Sequence, residues 1–159
     1  MNVKKLKVYL DTSVVSHLWQ LDAPEKMQET LELWERFKSE RFDVYLSLLT
    51  INEINECNVN KATKLYGYLN QIKYKVLDVT NEAQNIADII VDMKILTKKS
   101  IDDCTHIGVA LSNQLDYIAS WNFKHMVNVK TVNGVRAISI LNGYKTIDLV
   151  SPTFFLEEE

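Results

Sequence analysis

The chain has 159 residues, of which 47% are hydrophobic and 25% charged. That balance belongs to one globular domain, 1–159, and it excludes intrinsic disorder, collagen and coiled coil. The formal charge is −3, and the terminal Glu157, Glu158 and Glu159 account for it, so a basic coat that grips any nucleic acid is excluded while a local basic patch is not.

In chain order, Leu6–Leu10 (LKVYL) reads as a buried strand that runs straight into Asp11-Thr12-Ser13 and an apolar run, Val14–Leu18. Pro24 to about Ser39 is helical, because Met27, Leu31, Trp34 and Phe37 recur at helical spacing. Asp43–Ser47 is a second strand, and Leu48–Glu56 and Ala62–Ile72 are helices. Tyr74–Val79 is a third strand. Thr80 reads as the cap of a helix whose apolar stripe is Ala83, Ile86, Ala87, Ile90 and Met93. Ser100 caps another helix through about Asn113, with Asp103 as the acid of a capping box. Asp116–Ser120 is a fourth strand, and Val135–Ile138 is read as a short fifth. Strands separated by helices imply βαβ units and a parallel sheet covered on both faces. Ligands then bind beyond the carboxyl ends of the strands.

Cys57 and Cys104 form no C-x-x-C pair and no Cys/His cluster, which fits a reducing cytoplasm and argues against zinc. The apolar run in MNVKKLKVYLD is too short for a signal peptide, and no stretch approaches a membrane span. The expectation is a cytoplasmic protein without a membrane partner. The dinucleotide fingerprint, the P-loop, the G-x-S-x-G elbow and H-E-x-x-H are all absent. An aspartate-nucleophile phosphatase needs a second acid two residues after the first; Ser13 stands there instead.

What remains is a set of acids at one edge. Asp11 directly follows the first strand, with Thr12 beside it; a helix cap is the competing reading. Glu53 follows the second strand and extends an apolar stripe with Leu49, whereas Glu56 lies one turn further on. Asp102 and Asp103 open their helix, where the dipole favours both. Asp103 shares a stripe with Ile107, Ala110 and Leu111 and faces the sheet, while Asp102 lies to the side. His106, at i+3, is near enough to orient Asp103, but a satisfied structural histidine is the favoured reading. Asn122 and His125 follow the fourth strand, with turn formation as the other use of Asn122. Trp121 and Phe123 read as packing residues. Carboxylates sharing one edge repel each other unless a cation sits between them, and a hard cation suits an all-oxygen site.

These motifs resemble the PIN-domain family. The matching pieces are YLDTSVVSHL, SLLTINEI, D-C-T-H with its GVAL tail at Asp103–Leu111, DYIASWNFKHMVN at Asp116–Asn128, and ILNGY…IDLVSP at Ile140–Pro152. The resemblance implies a three-layer α/β/α sandwich with a central parallel sheet of about five strands. It implies a metal-dependent endoribonuclease, often the VapC-like toxin of a bacterial type II toxin–antitoxin pair. Asp11, Glu53 and Asp103 match the family's three core acids and would be the metal ligands for Mg²⁺ or Mn²⁺. Asn122 stands where the wider pattern has a fourth acid, which predicts one dominant metal position. The implied partners are RNA, a cognate antitoxin and a second copy in a homodimer. Thr12, Glu56, Asp102, His106 and His125 are secondary site residues. Lys94, Lys98, Lys99, Lys124 and Lys130 lie near the motifs and could track an RNA backbone, although ordinary surface solubility accounts for most of them. The alternatives are a catalytically weak or inactive PIN-like binding module and, ranked below it, a phosphatase or phosphoryl-accepting domain.

Overall fold

A computed structural model of the chain describes residues 4–157. Its sheet has five strands in the order β3-β2-β1-β4-β5, with β1 Leu6–Leu10, β2 Phe42–Ser47, β3 Lys75–Leu77, β4 Tyr117–Ala119 and β5 Asp148–Val150. Every pairing is parallel, with Tyr9 opposite Tyr45, Leu10 opposite Ala119, Ser47 opposite Leu77 and Ala119 opposite Val150. The helices are α1 Thr12–Ser16, α2 Pro24–Lys38, α3 Leu48–Asn55, α4 Val59–Leu69, α5 Asn81–Asp92, α6 Ile101–Ser112 and α7 Val129–Leu141.

Side chains alternate across the sheet, as the pleat requires. Val8 and Leu10 of β1 and Val44 and Leu46 of β2 enter one core with Leu18, Leu33, Trp34, Phe37, Ile54 and Leu65. Tyr9, Tyr45 and Ile118 enter the other with Ile86, Ile90, Ile107, Leu111, Val135 and Ile138. The first core is covered by α1 to α4 and the second by α5 to α7, which gives the three-layer α/β/α architecture expected from the sequence.

Three sequence expectations are corrected. Val135–Ile138 is not a strand; it lies within α7, where Val135, Ile138 and Ser139 are buried on one helical face and Asn128 caps the start by accepting from Thr131 N. The fifth strand is Asp148–Val150. The helix expected at Ala62–Ile72 starts and stops earlier, at Val59 and Leu69, because Asn58 caps it by accepting from Lys61 N at 2.9 Å. Ser100 makes no side-chain cap to α6. The helix is entered instead through a 3-10 turn, Lys98–Ser100, and Ser100 N donates to Thr97 O. Asp103 is therefore not held in a capping box. By contrast Thr80 caps α5 as expected, accepting from Ala83 N.

Gly108 fixes how close α6 comes to α5. A Cβ at this position would lie 2.1 Å from the Ala83 carbonyl oxygen. Only glycine permits that approach, and α6 carries Asp103 and His106 five and two residues upstream.

Candidate functional site

A parallel sheet delivers the residues after each strand to one edge, and β1 is the point where the strand order reverses. Asp11 stands there. Its backbone N–H extends the ladder to Ala119 O, and its side chain is 3% exposed. Oδ1 accepts from Ser13 Oγ at 2.5 Å and from Val14 N at 3.3 Å, and Oδ2 accepts from Ser120 Oγ at 2.5 Å. Asp11 thus caps α1 and belongs to the pocket at once; the two readings of it are not alternatives. Both serines are held in turn, since Ser13 Oγ accepts from Trp121 N and Ser120 Oγ from Asn122 N. Burial pushes the Asp11 carboxyl above its ordinary value, against the pull of His106 and the three donors.

Glu53 projects from α3 and is half-buried. Its Oε1 accepts from Thr12 Oγ1 at 3.0 Å and lies 2.9 Å from His106 Nε2. Burial raises Glu53, but the hydrogen bonds from His106 and from the Thr12 hydroxyl outweigh it, and the net direction is down. His106 is itself buried, and its Nδ1 lies 2.5 Å from the Tyr9 hydroxyl, which lies 2.8 Å from Ser47 Oγ. A carboxylate only accepts, so Nε2 carries a proton and donates to Glu53. In the neutral ring Nδ1 then accepts from Tyr9, and Tyr9 from Ser47. Burial drives the Tyr9 phenol strongly up, so it stays protonated and able to donate. His106 is thus the satisfied, buried histidine the sequence favoured, and the acid it orients is Glu53.

Asp103 sits in the first turn of α6. Among the described residues its carboxylate has one hydrogen bond, from Asn122 Nδ2 to Oδ2 at 3.4 Å. Burial raises it, and the charge of Asp11 raises it further. Asn122 Oδ1 accepts from His125 N at 3.0 Å. The amide carbonyl closes a turn and shows its N–H₂ to Asp103, so both the turn reading and the site reading hold.

Asp11, Glu53, Asp103 and Asn122, with Thr12 and His106, line one open cavity of about 320 Å³, and Ser13, Ser16 and His17 complete its wall. Glu56 and Asp102 are exposed and lie outside that wall. His125 also lies outside it and takes part through its backbone. The donor set is rich in carboxylate oxygen, the kind a hard divalent cation takes. Among the described residues, no three His, Cys, Asp or Glu side chains stand so as to hold a metal ion. Asp11 is turned into its serine shell and Glu53 toward His106.

The sequence reading passed over Tyr9, Ser13, Ser47, Ser120 and His17. Signals for two of these existed. Ser13 is two residues from Asp11, within reach of its carboxylate, and Ser120 immediately follows β4 as Asp11 follows β1. Lys94, Lys98, Lys99, Lys124 and Lys130 are exposed and line no part of the cavity. No helix among the described residues is long and apolar enough to cross a membrane.

No family model and no curated protein matches the chain. Solved structures do. VapBC2 of Rickettsia felis, bound to a DNA fragment from its promoter, matches over 92% of this chain and 98% of that one, at 10% identity and a TM-score of 0.56. VapC20 of Mycobacterium tuberculosis, a toxin that cleaves the sarcin–ricin loop, matches over 74% of this chain and 92% of that one, at 15% identity and a TM-score of 0.55. VapC toxins are PIN-domain proteins, and the fold of this chain is theirs.

Proposed function

We propose that the chain is a ribonuclease that hydrolyses RNA phosphodiester bonds at the Asp11–Glu53–Asp103 pocket. One observation carries the reading: acids delivered by β1, α3 and α6 meet in a single open cavity at the strand ends, with Asp11 and Asp103 both pushed above their ordinary range. Uncompensated carboxylates in a cleft mark a place where positive charge arrives from outside. Asp11, Glu53 and Asp103 are the residues that would hold Mg²⁺ or Mn²⁺. Such an ion lowers the pKa of bound water and offsets charge on the phosphate.

The chain's own groups do the positioning. Ser13, Ser120 and Val14 N fix Asp11 in one rotamer. Thr12 and His106 fix Glu53. Asp103, the least constrained of the three, is the acid free to turn toward ion or substrate. Asn122 brings an amide N–H₂ instead of a fourth charge, which leaves a single dominant ion position.

The test is cleavage of labelled RNA by the purified chain with Mn²⁺ or with EDTA. Cleavage that EDTA stops and Asp103→Asn removes is the expected outcome. RNA binding with no cleavage under either condition would favour the second reading, a PIN-like binding module. The Asn122 carbonyl, already taken by His125 N, is the observation behind that alternative. A cytoplasmic location, a toxin role with an antitoxin partner, and a homodimer extend the proposal. They draw on the fold shared with a toxin–antitoxin complex, and co-purification with the product of a neighbouring reading frame and light scattering test the two associations.

A further inference from the structure

Trp121 and Phe123 flank Asn122 on the loop after β4, and the structure treats them differently. Trp121 is 5% exposed and belongs to the first core. Its backbone N–H donates to Ser13 Oγ at 2.9 Å, and its indole N–H donates to Thr30 Oγ1 at 2.9 Å. Phe123 is 47% exposed and belongs to neither core. Its ring stands edge-on to Trp121, centroids 6.2 Å apart at 70°. Lys26, from the first turn of α2, places its ammonium 5.4 Å from the Phe123 centroid and 5.7 Å from that of Trp121. Among the described residues Lys26 has no carboxylate partner.

We propose that Phe123, with Lys26 across its ring, is a subsite on the rim of the acid pocket that stacks one nucleobase of the RNA and takes a neighbouring phosphate. The inference rests on the ribonuclease reading and gives it a substrate contact. Three features carry it. The position is right, because Asn122, one residue away, lines the cavity. The platform is rigid, because Trp121 beneath it is anchored by two hydrogen bonds to separate elements. The chemistry is right, because a single strand is held by an aromatic face that accepts any base beside a cation that meets its backbone.

The charge distribution agrees. The acid pocket repels a polyanion unless cations flank it. Lys26 and Lys61 both act electrostatically on His17 in the cavity wall. Lys64 lies 4.8 Å from the Trp19 ring on the same flank, where the 3-10 turn His17–Trp19 packs against α4. The lysines whose charge reaches the cavity wall through His17, Lys26 and Lys61, thus come from α2 and α4 and not from the lysines nearest the motifs in sequence.

The experiment measures binding of a fluorescein-labelled single-stranded RNA of ten nucleotides to the intact chain in EDTA, where metal-dependent hydrolysis is off. A matched set carries one abasic nucleotide at each position. Phe123→Leu is expected to weaken binding by about 5- to 150-fold, the range for losing one stacked base. It is also expected to abolish the penalty of the abasic substitution that hurts wild type most. Phe123→Trp should keep both affinity and that penalty. Lys26→Gln should lower the slope of log affinity against log salt by about one contact. A Phe123→Leu variant that melts like wild type yet binds every RNA equally well would overturn the subsite, and would leave Phe123 as a contact for a protein partner. Wild type that binds no RNA would sink the ribonuclease reading itself, a failure seen without any variant.

Discussion

At the amino ends of the strands, Lys5, Glu40, Asp43, Lys73 and Lys75 help to line a cavity of about 230 Å³. There acids stand among lysines. Lys73 Nζ lies 2.8 Å from Glu40 Oε1, and that pairing lowers the glutamate and raises the lysine. Asp116, at the entry to β4, accepts from Lys7 N at 2.8 Å and pairs with Lys145. Burial raises Asp116 somewhat, but Lys145 and Lys7 N outweigh it and hold the carboxyl below its usual range. At the carboxyl ends the acids outnumber any lysine or arginine in the wall, and Asp11 and Asp103 are raised. At one edge Glu40 and Asp116 have lysine partners, and in that sense it is complete; at the other the acids have none in the wall. The incomplete edge sits where parallel topology places ligands, so the mismatch reads as function rather than as poor packing.

The sharpest break of this contrast comes from the acids themselves. Asp103→Asn and Asp11→Asn should each reduce RNA cleavage by more than about 100-fold, since even groups behind a metal ligand cost 10–100-fold. Melting of the metal-free protein should stay level or rise. Both folded values lie above the ordinary 3.8, so protonation favours the folded state. Their stabilising contribution is complete below the unfolded value and is lost as pH rises through the folded one. The gain in melting temperature of Asp103→Asn over wild type in EDTA should therefore be largest at neutral pH and vanish near roughly pH 4. Glu53 and Asp116, both lowered, act in the opposite sense and are common to both proteins. A fall in melting temperature for both variants at pH 7 would make capping, not charge, the main role of this edge.

Next in size is Tyr9→Phe. The change removes one oxygen from the buried Ser47–Tyr9–His106 chain and leaves His106 Nδ1 without its hydroxyl partner. Stability should fall by about 1–3 kcal/mol. Nitrogen NMR of the His106 ring should show loss of the single tautomer with Nε2 protonated. A single unchanged tautomer would mean that Glu53 alone sets the ring.

Asn122→Asp probes the missing charge. The variant keeps an oxygen to accept from His125 N and turns a second oxygen toward Asp103 Oδ2, where an N–H now points. Mn²⁺ affinity should rise by about tenfold, and metal-free stability should drop through like-charge repulsion. Calorimetric titration without RNA measures the first and thermal melts the second. Equal affinity in both proteins would place Asn122 outside the ion's reach.

The pocket acids were legible from sequence because strand ends of a parallel sheet share an edge: Asp11 follows β1, Glu53 lies on the helix after β2, and Asp103 opens α6 on its sheet-facing stripe. The orientation of each side chain was not. Glu53 turns toward His106 because Tyr9 and Ser47, from two strands, meet behind that ring. Nothing in local spacing encodes such a meeting. The fifth strand was misplaced for a related reason. Val135–Ile138 (VRAI) is a short, mostly apolar segment that suits strand and buried helix equally, and the cap at Asn128 decides it. Asp148–Val150 carries only one buried residue, Leu149, and so left a weak trace.

The smallest expected effect lies at the complete edge and has the opposite sign. Lys145→Gln removes the cation paired with Asp116, whose carboxylate then keeps, among the described residues, the hydrogen bond from Lys7 N. The Lys145 side chain is 45% exposed, so water and salt already screen the pair. The loss should be under about 1 kcal/mol and should shrink further at high ionic strength. Asp116 is lowered in the folded state, so its contribution is present above the ordinary 3.8 and lost as pH falls through the folded value. The deficit of Lys145→Gln should accordingly be visible at neutral pH and fade on acidification, a small destabilisation where Asp103→Asn gives a gain. A stabilising Lys145→Gln would mean that the amino edge, too, carries a charge imbalance, and the contrast between the two edges would fail.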